Sequence, residues 1–231
     1  MNDIKERSTL TNIIIAIFCL VGIIIIPSIF MIIIDGFIKS KVLSLVIADL
    51  LFIAILVFIF YKDLKNEAKV YFKDFKNKFK YSFKIYILGY MGMLFFNLFI
   101  ALFLKNISSN ESQVRELLYN NTILTLFSIS IIAPISEELV FRKSLAPLFK
   151  NKWAYVIVSG VLFGGAHILT NIFDNTFLLK DLLYILPYGC LGASFALMDY
   201  NSKTTFSSIV IHALHNSVTG ILLLITYFGG K

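Results

Sequence analysis

From Asn12 to Ile34 the chain is apolar almost without interruption, and similar runs recur at 42–61, 84–104, 121–141, 153–171, 181–199 and 204–228. Each is close to the length of about 20 residues that a helix needs to cross the hydrocarbon core of a bilayer. Lipid offers no partner to a bare N–H or C=O, so a spanning run has to satisfy its backbone internally, as a helix does. The pattern predicts an all-α fold, a polytopic transmembrane helical bundle of seven spans. It becomes eight if the 136–149 stretch breaks away at Pro134. The first run is too long for the apolar core of a signal peptide and shows no small-residue cleavage site, so it reads as a retained helix. No internal repeat or low-complexity tract stands out.

The polar positions between the runs carry a second pattern. Eight lysines fall between Lys62 and Lys84, with Phe72, Phe75, Phe79 and Phe83 among them at helical spacing. This predicts a basic amphipathic helix on the membrane surface, and the lysine excess assigns it to the cytoplasmic side. Arg142, Lys143, Lys150 and Lys152 mark a second cytoplasmic connection, while 105–121 is polar but not basic and is expected outside. Two parts result: 1–118, N-terminal spans plus the surface helix, and 119–231, which holds the chemistry.

Composition strengthens the membrane assignment. The chain is 58% hydrophobic and 15% charged, against about half and a quarter in soluble domains. The net charge of +7 sits in the connections rather than along a polar face, which argues against nucleic acid as a partner and for the lipid bilayer. Abundant Lys, Ile, Asn and Phe fit an AT-rich bacterial genome, so the cytoplasmic membrane of a bacterium is the expected location. Cys19 and Cys190 lie far apart in apolar runs, which fits neither a disulfide framework nor a thiolate metal site.

Three polar groups interrupt the C-terminal runs: Glu137-Glu138 with Arg142, Phe163 with His167, and His212 with His215 and Asn216, so that all three histidines fall within them. A charge at mid-membrane costs at least about 2.5–3.5 kcal/mol, so these side chains need partners or work. Glu138 and Arg142 stand at i and i+4 with the acid first, the favoured order for a pair. Glu137 is rotated by about 100° from Glu138 and is left for chemistry. If the helices flanking Asn151 form a hairpin, Glu137 comes nearly level with His167, about 3 Å of rise away. Gly160 and Gly164 would let a partner helix approach. His212 and Asn216 share a helix face and can both donate hydrogen bonds, as an oxyanion cradle requires. The same counting leaves His212 several residues out of level with His167. Water attack on an amide carbonyl fits this set, with Glu137 as general base and His167 on the same water. His215 reads as a histidine satisfied by a neighbour, and Asp49, inside the second run, as hydrogen-bonded to an adjoining helix.

At these residues the sequence resembles the CPBP or Abi family of CAAX prenyl proteases and bacteriocin-processing enzymes, whose motifs are E-E-x-x-x-R, F-x-x-x-H and H-x-x-x-N or H-x-x-x-D. Here they read Glu137-Glu138 to Arg142, Phe163 to His167 and His212 to Asn216, in that order, within roughly 120–228. The resemblance implies an intramembrane glutamic endopeptidase acting without a cofactor on a peptide or membrane-protein substrate. It gives Glu137 and His167 the activation of water, His212 and Asn216 the oxyanion hole, and Glu138 and Arg142 a supporting role. The rival for the same residues is a zinc site of two histidines and a glutamate, although no H-E-x-x-H helix is present. A non-catalytic bacteriocin-immunity or scaffold protein is the alternative function. A transporter is disfavoured, because the first spans do not resemble an inverted repeat of the last.

Overall fold

A computed structural model describes residues 7–103, 108–169 and 177–229, and these are helical with short connections, without a β-strand among them. Helix α1 (Thr9–Asp35) starts at Ser8, whose hydroxyl accepts from the Thr11 amide, and α2 (Lys41–Lys73) starts likewise at Ser40. Helix α3 (Phe75–Phe103) follows, then α4 (Ser109–Asn120), capped by Ser108. Helix α5 (Thr122–Leu148) holds the glutamates, and α6 (Lys152–Ala166) is capped by Asn151, which accepts from two amides. Helix α7 (Leu179–Ser202) opens with a tight 3₁₀ stretch, and α8 (Phe206–Gly229) ends the description. Between them Lys203 takes the left-handed conformation, φ 55°, that closes a helix.

The all-α polytopic bundle is therefore what the chain forms. Among the described residues six helices are long and apolar enough to cross a membrane: α1, α2, α3, α5, α7 and α8. The seventh expected span, 153–171, is a 15-residue apolar helix ending at Ala166, and 170–171 lie outside the described residues. Large apolar side chains face outward along the spans, as a lipid solvent requires; Ile32, Phe58 and Leu88 are among the most exposed.

Two local expectations need correction. The lysine-rich segment is not a helix of its own: α2 runs through Lys73, breaks at Asp74, and α3 restarts at Phe75. The break is held by Tyr71, which is buried beside Phe72, Phe75 and Phe206. Lys78 donates to the Ser202 carbonyl at 2.7 Å, so the segment is tied to the α7–α8 turn. Nor does Pro134 end a helix. A π-helical turn, Ser128–Ile132, precedes it and absorbs the missing amide, so α5 continues; the extra helix is instead α4, in the polar stretch before it.

Small residues decide which helices touch. A Cβ on Gly160 would lie 2.8 Å from the Gly189 carbonyl, and one on Gly164 2.6 Å from the Ile185 carbonyl, so α6 and α7 meet backbone to backbone. Gly89 of α3 likewise leaves room for the Ser194 side chain of α7. Helices of both halves thus enclose one interior. Polar ties lock it at the lysine-rich end: Glu67 pairs with Lys143 and accepts from the Thr205 amide, and buried Asp199 accepts from Tyr155 and Thr205, both at 2.8 Å.

Candidate active site

Glu138 and Arg142 form the expected pair, Nε to Oε2 at 3.1 Å, with both side chains fully buried. The guanidinium also donates to the Gly192 carbonyl at 2.9 Å and lies over the rings of Phe163 and Phe195, 4.6 and 5.4 Å from their centres. Phe163 is therefore more than a spacer before His167. It stacks one face of the buried cation and touches the rings of His167 and His212, at 4.6 and 5.7 Å.

Glu138 has a further partner that local spacing could not reveal. Nδ1–H of His212 donates to its Oε1 at 2.9 Å, across 74 residues of sequence. Glu138 thus serves the arginine with one oxygen and orients the histidine with the other. The remaining ring nitrogen, Nε2, is then directed to Glu137, 3.8 Å from its Oε2. Helix α8 closes the gap that linear counting left, because it packs against α5, where Gly220 admits Leu126 and Ile129.

The two glutamates sit at the end of a short α-helical stretch, Ala133–Glu138, between the π turn Ser128–Ile132 and a second, Leu139–Lys143. Each π turn adds a residue to the local ladder and shifts the downstream side chains around the axis. His167 caps the C-terminus of α6. Its Nδ1–H donates to the Phe163 carbonyl at 2.8 Å, and its ring stacks on Tyr188 at 4.3 Å. With a proton on Nδ1, the neutral ring keeps a lone pair on Nε2. Tyr188 is held in turn by the Ser108 hydroxyl at 2.9 Å, which joins α4 to the site.

Glu137, His167, His212 and Asn216 all line one cavity of about 550 Å³ enclosed by α3 to α8, within the range of small-ligand sites. Asn216 donates one amide hydrogen to the Ile129 carbonyl at 2.8 Å, leaving the other. Asp49, on α2, does not line the cavity, but its carboxylate lies close enough to Glu137 for the two charges to interact. His215 lines the cavity and meets the Tyr86 hydroxyl at 3.0 Å. A neighbour thus satisfies it, and its place beside the site was not legible from spacing. Both cysteines are free thiols. Among the described residues no three or more His, Cys, Asp or Glu side chains form a group able to hold a metal ion. The physical reason is visible at Glu138 and at Nδ1 of His212, which are spent on Arg142 and on each other.

Comparison with known proteins follows the same residues. Residues 119–218 match the model of the Rce1-like family, described as type II CAAX prenyl endopeptidase Rce1-like. Over 120 residues the chain is 26% identical to a Bacillus subtilis (strain 168) protein named "Putative membrane peptidase YdiL", covering 51% of this chain and 44% of that one. Over 107 residues it is 32% identical to an uncharacterised protein of Mycoplasma capricolum subsp. capricolum, covering 46% of this chain and 28% of that one. The matches thus span less than half the length of either relative. No solved structure matches the chain. Residues 119–218, which place Glu137, all three histidines and Asn216 on one cavity, are thus the part of this multi-pass membrane protein that is similar to the Rce1-like family of type II CAAX prenyl endopeptidases.

Proposed function

We propose that the protein is a metal-independent endopeptidase of the bacterial cytoplasmic membrane, cutting a membrane-associated protein or peptide precursor with a water activated by Glu137 and His167. At the coarser level the family match and the relative named as a membrane peptidase support a membrane protease. The observation that carries the finer reading is the cavity itself: it brings a carboxylate and two imidazoles, from three helices, to one enclosed space.

The chemistry follows from the proton positions. Water donates one hydrogen to the Glu137 carboxylate and the other to Nε2 of His167, whose Nδ1–H is committed to the Phe163 carbonyl. The water oxygen attacks the scissile carbonyl carbon as Glu137 takes its proton. The resulting oxyanion accepts hydrogen bonds from Nε2–H of His212 and from the second amide hydrogen of Asn216. In this role His212 donates from both ring nitrogens, Nδ1–H to Glu138 and Nε2–H to the oxyanion. Collapse breaks the C–N bond, and the proton held by Glu137 passes to the leaving amine. Glu138 and Arg142 position His212 and touch no reacting atom.

The test uses the full chain in lipid vesicles with a pool of internally quenched decapeptides with apolar centres. Wild type is expected to cut members of the pool, and Glu137→Gln and His167→Ala to cut them about 10²–10⁴-fold more slowly. Folded variants that cleave as wild type does would refute the hydrolytic reading. Peptide binding without Glu137-dependent cleavage would favour the non-catalytic immunity or scaffold protein. A zinc chelator is expected to change nothing; activity lost to it and restored by zinc would overturn the metal-free mechanism.

A further inference from the structure

The mechanism uses the part of the cavity formed by α5, α6 and one edge of α8. The facing wall, where α3 meets the other edge of α8, is also built, and it has polar groups with no role so far. On α8, His215 lies about 60° around the axis from His212, on the side away from Asn216. Its Nδ1 is in contact with the Tyr86 hydroxyl at 3.0 Å. Its half-buried ring is held edge-on by Tyr86 and Tyr90, each 5.8 Å away at 64° and 67°. Two aromatic side chains and a hydrogen bond thus fix an imidazole whose remaining polar atom, Nε2, is left for whatever fills the cavity.

Helix α3 continues this wall. Tyr90, Met93 and Asn97 line the cavity, and with Tyr86 they follow one helix face. Asn97 stands about 13 Å along the axis from the level of Tyr86 and Tyr90, the reach of about four residues of extended chain at about 3.3 Å each. A wall with an apolar middle and a hydrogen-bonding group at each end suits an extended peptide better than a compact ligand.

We propose that His215, fixed by Tyr86 and Tyr90, is a specificity-determining residue of a peptide-docking subsite on the α3–α8 wall, where its Nε2–H donates to a backbone carbonyl of the substrate beside the scissile bond. The inference rests on the hydrolytic reading and extends it from the reacting bond to the strand that carries it. It assigns the Tyr86 hydroxyl as donor to Nδ1, which places the proton of the neutral ring on Nε2. Asn97 is the second polar contact, further along the same strand.

The experiment uses the full chain in lipid vesicles and the decapeptide of the quenched pool that wild type cuts fastest. His215→Phe keeps a ring between the tyrosines and removes the N–H. It is expected to raise KM about tenfold, the equivalent of about 1.4 kcal/mol, with kcat within about twofold. His215→Gln, whose carboxamide can donate, should recover part of that loss, and Tyr86→Phe should raise KM in the same direction. In a Glu137→Gln background, which leaves the peptide uncut, His215→Phe should weaken its direct binding by the same factor. A KM and binding constant unmoved by His215→Phe would overturn the subsite, as would a joint loss of kcat and thermal stability. Either result, beside cleavage that still requires Glu137, leaves the hydrolytic reading standing; cleavage that survives Glu137→Gln overturns that reading instead.

Discussion

Replacing Arg142 with methionine tests how the site tolerates charge in a low-dielectric interior. The guanidinium is fully buried, pairs with Glu138 at 3.1 Å, donates to the Gly192 carbonyl and lies between Phe163 and Phe195. Methionine fills much of the same space between the rings and removes all of the charge. Removing one partner of a buried pair costs about 3–5 kcal/mol, because the other charge is left without a counter-ion. For a chain of this size 1 kcal/mol moves the melting temperature by about 2–4 °C, so Arg142→Met should melt roughly 6–20 °C below wild type in the same detergent. The double variant Glu138→Gln with Arg142→Met removes the stranded charge. It should recover about 1–3 kcal/mol relative to the sum of the single losses, the coupling expected of side chains in contact. Thermal unfolding followed by tryptophan fluorescence or by aggregation reads both. A single variant within about 1 kcal/mol of wild type, or a double variant whose losses simply add, would refute the claim that Arg142 is there to neutralise Glu138.

The remaining predictions concern the frame that holds the site. Gly164→Val puts a side chain against the Ile185 carbonyl and the Gly189 amide, backbone atoms that cannot yield; it should destabilise by about 1–3 kcal/mol or more and lower cleavage by displacing His167. Gly165→Ala, whose added methyl meets nothing within 4 Å, should be neutral or gain up to about 1 kcal/mol; a large loss there would mean that α6 is set differently. Tyr155→Phe removes the O–H that Asp199 accepts in the interior, and a loss of about 1–3 kcal/mol in the same melting assay is expected. Glu67→Ala strands Lys143 and the Thr205 amide together, and should cost a similar amount while leaving KM for the decapeptide unchanged.

What the sequence by itself determined is whatever depends on neighbours along one helix. Runs of about 20 apolar residues can satisfy their backbone only as helices, so six spans were legible, while the seventh expected span, 153–171, proved to be the shorter helix α6. Glu138 and Arg142 meet because i and i+4 share a face. Gly160 and Gly164 predicted a close helix contact, although not that Gly189 would be on the other side of it. The lysine-rich segment marked a helical, basic region, but its break at Asp74 depends on how Tyr71 packs against Phe206, a residue far along the chain. Only the tertiary structure decided the rest. That Glu138 orients His212, that Tyr188 stacks on His167, and that Tyr86 holds His215 are contacts between separate helices. Helical periodicity fixes the direction of a side chain on its own axis, but not the tilt and depth at which two axes cross. Those are set by where small residues let backbones meet and where π turns shift the ladder, and they turn a list of polar residues into a cavity.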